Sequence, residues 1–245
     1  FYEMFVLKPD HAKAHREGDI HIHDMDFLTL TTTCCQIDIE KLFKGGFSTG
    51  HGFLREPNDI QSYAALACIA IQSNQNDQHG GQSIPDFDYG MANGVKKTYR
   101  KLYWTNLGKM LNLLFDIEDG VEQVKAIGAE IMEKDDIYPV LADDNGYKEK
   151  EREYLRDIVD EGSIDKLQKK ATKYANEEIR RATYQAMEAF VHNLNTMHSR
   201  AGAQIPFSSI NYGTDTSPEG RMIIENILLA TEAGLGNGET AIFPI

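Results

Sequence analysis

The 245-residue chain has a formal net charge of −13, with 41% hydrophobic and 26% charged residues. That balance is typical of a folded protein, and the acidic excess excludes a non-specific nucleic-acid binder, whose footprint is basic. The longest apolar runs, such as residues 64–71, are too short to span a membrane, and Phe1-Tyr2-Glu3 does not open a secretion signal, so a cytoplasmic location without membrane contact is expected.

In chain order, residues 1–16 are expected to be helical, and Glu17-Gly18-Asp19 to form a turn. Residues 20–24 alternate apolar and polar with period two and predict a short strand. Residues 29–39, rich in Thr, Ile and Cys and without Gly or Pro, predict a second strand or extended segment. Four glycines make residues 44–52 irregular, and Glu56-Pro57-Asn58-Asp59 can cap a helix over residues 60–72. A second glycine-containing loop covers residues 76–85. The next helix, from 86 or 88 to 114, is expected to break near Gly94. Residues 116–150 give no secure pattern, and much of the acidic charge lies in residues 130–161. Residues 148–197 are strongly helical, ending in an apolar stripe of Met187, Phe190, Val191, Leu194 and Met197. A strand at 206–212, a helix at 217–230 and a loop at 234–238 close the pattern. Strands separated by helices predict a mixed α/β architecture.

Several groups could carry chemistry. Cys34 and Cys35 lie in a period-two segment, so their side chains point to opposite faces and only one can face a given pocket. A thiol yields a hydrogen atom or an electron pair easily, yet free cysteines also serve as small apolar fillers. Three cysteines, two of them adjacent, do not make a disulfide framework, and reduced thiols are expected. His21 and His23, two apart on an expected strand, could hold a metal or make structural hydrogen bonds. The glycine loops match neither phosphate-binding fingerprint, though their amides could still approach an anion. The donor-rich junction Ser199-Arg200-Ala201-Gly202-Ala203-Gln204, continuing to Ser208 and Ser209, stands where enzymes often place binding groups.

These segments together resemble the anaerobic (class III) ribonucleoside-triphosphate reductases, which are glycyl-radical enzymes. The resemblance is carried by Gly18-Asp19-Ile20-His21-Ile22-His23-Asp24, Thr33-Cys34-Cys35-Gln36-Ile37-Asp38, Lys44-Gly45-Gly46-Phe47-Ser48-Thr49-Gly50 and Gln75-Asn76-Asp77-Gln78-His79-Gly80-Gly81-Gln82. It continues through Leu194-Asn195-Thr196-Met197, Pro206-Phe207-Ser208-Ser209, Gly234-Leu235-Gly236 and Phe243-Pro244, in one order along nearly the whole chain.

The resemblance implies an α/β fold that is part of a ten-stranded α/β barrel. Residues 1–245 would form a partial catalytic barrel domain, with the ATP-cone, the finger-loop cysteine and the glycyl-radical segment outside this chain. It implies anaerobic reduction of ribonucleoside triphosphates to 2′-deoxyribonucleoside triphosphates, hence a role in deoxyribonucleotide synthesis and DNA replication. A glycyl radical, generated by an iron-sulfur/S-adenosylmethionine activating enzyme, makes a thiyl radical that takes the ribose 3′ hydrogen. A second, barrel-wall cysteine then helps reduce the substrate. By motif position that cysteine is Cys34, and Cys35 would point away into packing.

Thr33 stands where the family commonly has Asn; a hydroxyl can still bond the ribose, without the amide's paired donor and acceptor. Thr33, Ser208 and Ser209 are the expected substrate contacts. Arg55, Asn58 and Lys101 are the expected contacts to an allosteric dNTP or ATP effector, Lys101 foremost because an ammonium can meet a phosphate. The partners implied are the substrate, the effectors, the radical activating protein and a second copy in a homodimer. No metal ligand is assigned, and the chain alone is expected to be inactive. The competing readings are another glycyl-radical lyase, a metal-dependent hydrolase using His21 and His23, and a nucleotide-binding regulatory module.

Overall fold

The computed structural model describes residues 1–28, 32–198 and 204–244. The chain opens with a π-helical turn at Tyr2–Val6 and a helix α1 at Pro9–Glu17. The single expected helix is divided because Pro9 has no N–H to continue the earlier turn and instead starts α1. The later elements are strand β1 (Cys35–Gln36), helix α2 (Ile39–Phe43), strands β2 (Phe47–Ser48) and β3 (Phe53–Leu54), helix α3 (Ile60–Asp77) and strand β4 (Gln82–Ile84). Helices α4 (Phe87–Phe115), α5 (Gly120–Asp135), α6 (Tyr147–Leu155) and α7 (Glu161–Thr196) precede strand β5 (Ser208–Ile210) and helix α8 (Pro218–Ala233).

Caps explain where several helices begin. The Asp38 carboxylate accepts from Lys41 N–H and starts α2, a helix that begins at the last residue of the expected extended segment and was not foreseen in the sequence. Asp59 and Ser62 form a reciprocal capping box at α3. Asp160 and Ser217 accept from the backbone of Ser163 and Gly220 and start α7 and α8. The uninterpreted stretch 116–150 holds α5 and the start of α6, and α6 is separate from α7.

The expected break near Gly94 does not occur. α4 runs unbroken because Gly94 is a contact point with α3: a Cβ there would stand 2.9 Å from Tyr63 Cγ and 3.1 Å from the Ile60 Cα. The long helices α4 and α7 pack on one another and on α3 and α8. One buried cluster runs through Tyr63, Phe87, Tyr103, Ile179, Phe190 and Ile223. Phe87 and Phe190 meet at a centroid distance of 5.1 Å, within the favoured range for tilted rings.

Helices make up 62% of the structure, and the strands form two small sheets, one of three strands and one of two. The expected ten-stranded α/β barrel is therefore incorrect for this chain, which is mostly helical. The physical reason is that the apolar stripes of α4 and α7 bury helix against helix, while the strand signals shrink to two or three residues each. Residues 20–24 are not a strand: Asp24 takes a left-handed φ of 46°, and Ile22 N–H folds back to His15 Nδ1 on α1 (3.2 Å). Of the extended run 29–39, Cys35–Gln36 is a strand, and Thr29, Leu30 and Thr31 lie outside the described residues.

The three-stranded sheet is parallel, in the order β1-β4-β5, with Cys35, Gln82 and Ser208 in one row and Gln36, Ser83 and Ser209 in the next. One face lies on the helices: Gln82, Ser208, Ile84 and Ile210 are buried. The alternate row of Gln36, Ser83 and Ser209 is more open.

Candidate functional site

The two cysteines diverge, as alternation along an extended segment requires. Cys35 is half-buried and accepts a bond from Asn74 Nδ2 of α3 at 2.9 Å; the same nitrogen reaches Gln82 Oε1 at 2.9 Å. Cys35 lines a cavity of about 530 Å³ with Ile37, Leu42, Phe47, Thr49, Asn74 and Asp77. It therefore meets polar groups and open space, where plain apolar packing was expected. Cys34 is exposed and lies against the turn before β4: a Cβ on Gly80, whose φ is +104°, would come within 3.1 Å of its Sγ. Cys68 is buried in α3, and burial pushes its thiol up to about 12, leaving it protonated and inert at neutral pH.

The expected substrate contacts divide between the two faces. Thr33 is half-buried beside Cys34. Ser209 shares the open row with Gln36 and Ser83, whose Oγ donates to Asn211 Oδ1 at 3.1 Å. Ser208 is buried on the helix side and donates to the Pro206 carbonyl. Of the donor-rich junction, residues 199–203 lie outside the described residues.

Sequence reasoning missed that the second glycine loop contains β4, the central strand. Its Gln82-Ser83-Ile84 alternation was the available signal, hidden by Gly80, Gly81 and Pro85 on either side. It also missed Asn74, which no local pattern distinguishes from the other polar residues at the end of α3.

The histidines form a surface chain. His15, His21 and His23 follow one another with ring centroids 5.7 Å apart. His23 Nε2 lies 3.4 Å, and His79 Nε2 3.7 Å, from Asp24 Oδ2. Among the described residues no group of three or more His, Cys, Asp or Glu could hold a metal ion.

Arg55, Asn58 and Lys101 come together. Arg55 and Asn58 line a cleft of about 240 Å³ between the β3–α3 connection and α3. Lys101, on α4, donates to Asn58 Oδ1 at 3.2 Å and stands 4.0 Å from Asp59. Burial raises the Asp59 carboxyl, but the bonds from Ser62, with Lys101 and Arg55 nearby, more than offset it and hold the group below its usual range. The Lys97 ammonium, 2.6 Å away, lowers Glu56 in the same cleft.

The model of the family described as anaerobic ribonucleoside-triphosphate reductase matches residues 1–245. The chain belongs to that family. It is 27% identical over 235 residues to the anaerobic ribonucleoside-triphosphate reductase of Enterobacteria phage T4, covering 95% of this chain and 29% of that protein. It is 26% identical over 247 residues to the enzyme of the same name from Escherichia coli K12, covering 100% of this chain and 26% of the relative. The Salmonella typhimurium counterpart gives the same identity and coverage. The chain thus spans between a quarter and a third of the length of these relatives. Membership links it to radical-based enzymes, and the resemblance of the ordered motifs stands although the barrel expected from it does not. Among the described residues no helix is long and apolar enough to cross a membrane.

Proposed function

We propose that the protein to which this chain contributes reduces ribonucleoside triphosphates to 2′-deoxyribonucleoside triphosphates under anoxia, in the cytoplasm, with Cys34 as a reducing thiol. The observation that supports this most is the position of Cys34: an exposed thiol on the approach to β1, beside the tight Gly80 turn of the central strand. An exposed sulfur next to rigid sheet backbone can be brought to a ribose carbon with little reorganisation, and hydrogen transfer depends on that proximity. The glycyl radical of the family, made by an iron-sulfur/S-adenosylmethionine activating protein, supplies the oxidising equivalent that starts the chemistry.

The residues of this chain bind and reduce. In this reading Thr33 and Ser209 hold ribose hydroxyls, Thr33 as the residue before Cys34 and Ser209 from the open row of the sheet. Ser208, turned to the helices, acts by fixing the β5 backbone. As the 2′ hydroxyl leaves as water, the Cys34 S–H bond breaks and gives one hydrogen atom to the sugar; formate, oxidised to carbon dioxide, or a thiol protein, oxidised to its disulfide, supplies the second reducing equivalent and the hydrogen that restores the Cys34 thiol. The Arg55, Asn58 and Lys101 cleft takes the phosphates of a dNTP or ATP effector, and the complete protein acts as a homodimer.

The test is direct. The full-length protein, activated anoxically, is incubated with each of the four ribonucleoside triphosphates and an effector. Formation of at least one deoxynucleotide is expected. An activated protein that carries its radical yet converts none of the four overturns the reading.

A further inference from the structure

We propose that Phe207 is a substrate-binding residue whose ring stacks on the base of the ribonucleotide held at Cys34. The proposal rests on Cys34 being the reducing thiol. It gives a use to three motifs that the reducing chemistry does not engage: Leu194-Asn195-Thr196-Met197, Pro206-Phe207 and Phe243-Pro244.

Backbone pairing puts Cys34 and Phe207 in one row of the three-stranded sheet. Cys35 N–H donates to the Gly81 carbonyl at 3.2 Å, and Gln82 N–H donates to the Phe207 carbonyl at 3.1 Å, so Gly81 lies between the two residues. In the next row Cys35, Gln82 and Ser208 turn to the helices. Alternation therefore turns Cys34, Gly81 and Phe207 to the open face, and Cys34 and Phe207 are both exposed. Two strand spacings separate their backbones by about 10 Å, a span that a nucleoside can cover with its sugar at the thiol and its base at the ring. Two successive glycines keep that span clear of side chains. A Cβ on Gly80 would stand 3.1 Å from Cys34 Sγ, and a Cβ on Gly81 would stand 3.0 Å from Phe207 Cδ1.

The Phe207 ring is braced from behind. Phe243 meets it edge-on, with centroids 5.4 Å apart and an interplanar angle of 70°. Phe243 is itself buried and fixed by Asn195 of α7. The Asn195 Oδ1 accepts from the N–H groups of Ile242 and Phe243 at 2.7 and 3.0 Å, and its Nδ2 donates to the Phe243 carbonyl at 2.5 Å. The three motifs thus converge on one ring. Among the described residues that ring is still 55% exposed, where a ring serving only the core would be covered. A braced, open aromatic beside a reactive group suits a flat π-faced ligand, because little side-chain freedom remains to be lost on binding. Every base has a π-face, so one ring can serve ribonucleotides of different bases.

The experiment is calorimetric titration of the unactivated full-length protein with each of the four ribonucleoside triphosphates, the effector cleft being saturated with a dNTP. The wild type is compared with Phe207→Tyr, Phe207→Leu and Phe207→Ala. Phe207→Tyr keeps the π-face and should bind within roughly twofold of the wild type. Phe207→Leu keeps an apolar side chain without the π-face and should bind about fivefold more weakly. Phe207→Ala should lose about tenfold or more, the usual loss for a stacked base. Circular dichroism gauges folding, and Phe207→Leu decides if Phe207→Ala does not fold. A wild type that binds none of the four, or a Phe207→Leu protein that binds them as tightly as the wild type, overturns the proposal. If that equality is found while the activated wild type forms deoxynucleotides, the proposed function stands and only the role of Phe207 falls. An activated wild type that carries its radical and forms no deoxynucleotide overturns the proposed function, whatever the ring adds to binding.

Discussion

Glu151 offers the sharpest physical test of the core. It is fully buried on α6, where Tyr103 OH donates to its Oε2 at 2.6 Å and Gln168 Nε2 donates to the same oxygen at 2.9 Å. Among the described residues its other oxygen, Oε1, has no hydrogen-bond partner. Burial pushes its carboxyl up to about 7, from an ordinary 4.5, and the bonds from Tyr103 and Gln168 only partly oppose this. The folded state therefore holds a proton that the unfolded chain releases between about pH 4.5 and pH 7. Stability from this site is fully present below the lower value and is lost as pH rises through the upper one; the full difference is on the order of 3 kcal/mol.

Glu151→Gln removes the titration while keeping the side-chain shape and an oxygen for Tyr103. Urea unfolding at pH 5 and pH 8, followed by circular dichroism, is the assay. The wild type should lose about 2.5 kcal/mol more than the variant between the two pH values, since pH 5 already lies above the unfolded value. Equal losses in both proteins would refute the argument that Glu151 is protonated in the fold.

Three further outcomes follow from named contacts. Gly94→Ala should destabilise by about 1–3 kcal/mol, seen as a lower urea midpoint, because its Cβ would crowd Tyr63 and Ile60; an unchanged midpoint would show that α3 and α4 can separate freely. Asp88→Ala should cost about 2–5 kcal/mol, since the buried carboxylate accepts the backbone N–H groups of Gly213, Thr214 and Asp215 and holds the β5–α8 loop to α4. Proteolysis within residues 211–217 should then quicken, and unchanged cleavage would contradict that role. Lys101→Ala should weaken effector binding by calorimetry roughly 10-fold or more, the loss of one charged hydrogen bond; equal affinity would remove Lys101 from the cleft's function.

The helices were the legible part of the fold. The stripe of Met187, Phe190, Val191 and Leu194 and the caps at Asp59 and Ser217 are local signals, and the structure places α3, α7 and α8 where they point; Met197, expected to end the same stripe, is instead exposed just past the end of α7. β4 was not legible, because its three residues are defined by partners in β1 and β5 rather than by their own pattern. The barrel was inferred from resemblance, and the helix-on-helix core overrode it. At the site, the opposite facing of Cys34 and Cys35 could be read from alternation. The Asn74 bond to Cys35 and the approach of His79 to Asp24 could not, since each joins residues brought together only by folding.

The central claim is that Cys34 reduces the bound ribonucleotide. The measurement is turnover of anoxically activated full-length Cys34→Ser, with glycyl-radical content counted by electron paramagnetic resonance and Cys35→Ser as the neighbouring control. The account predicts an unchanged radical signal in Cys34→Ser with no deoxynucleotide formed, and product from Cys35→Ser. Normal deoxynucleotide formation by Cys34→Ser would contradict it.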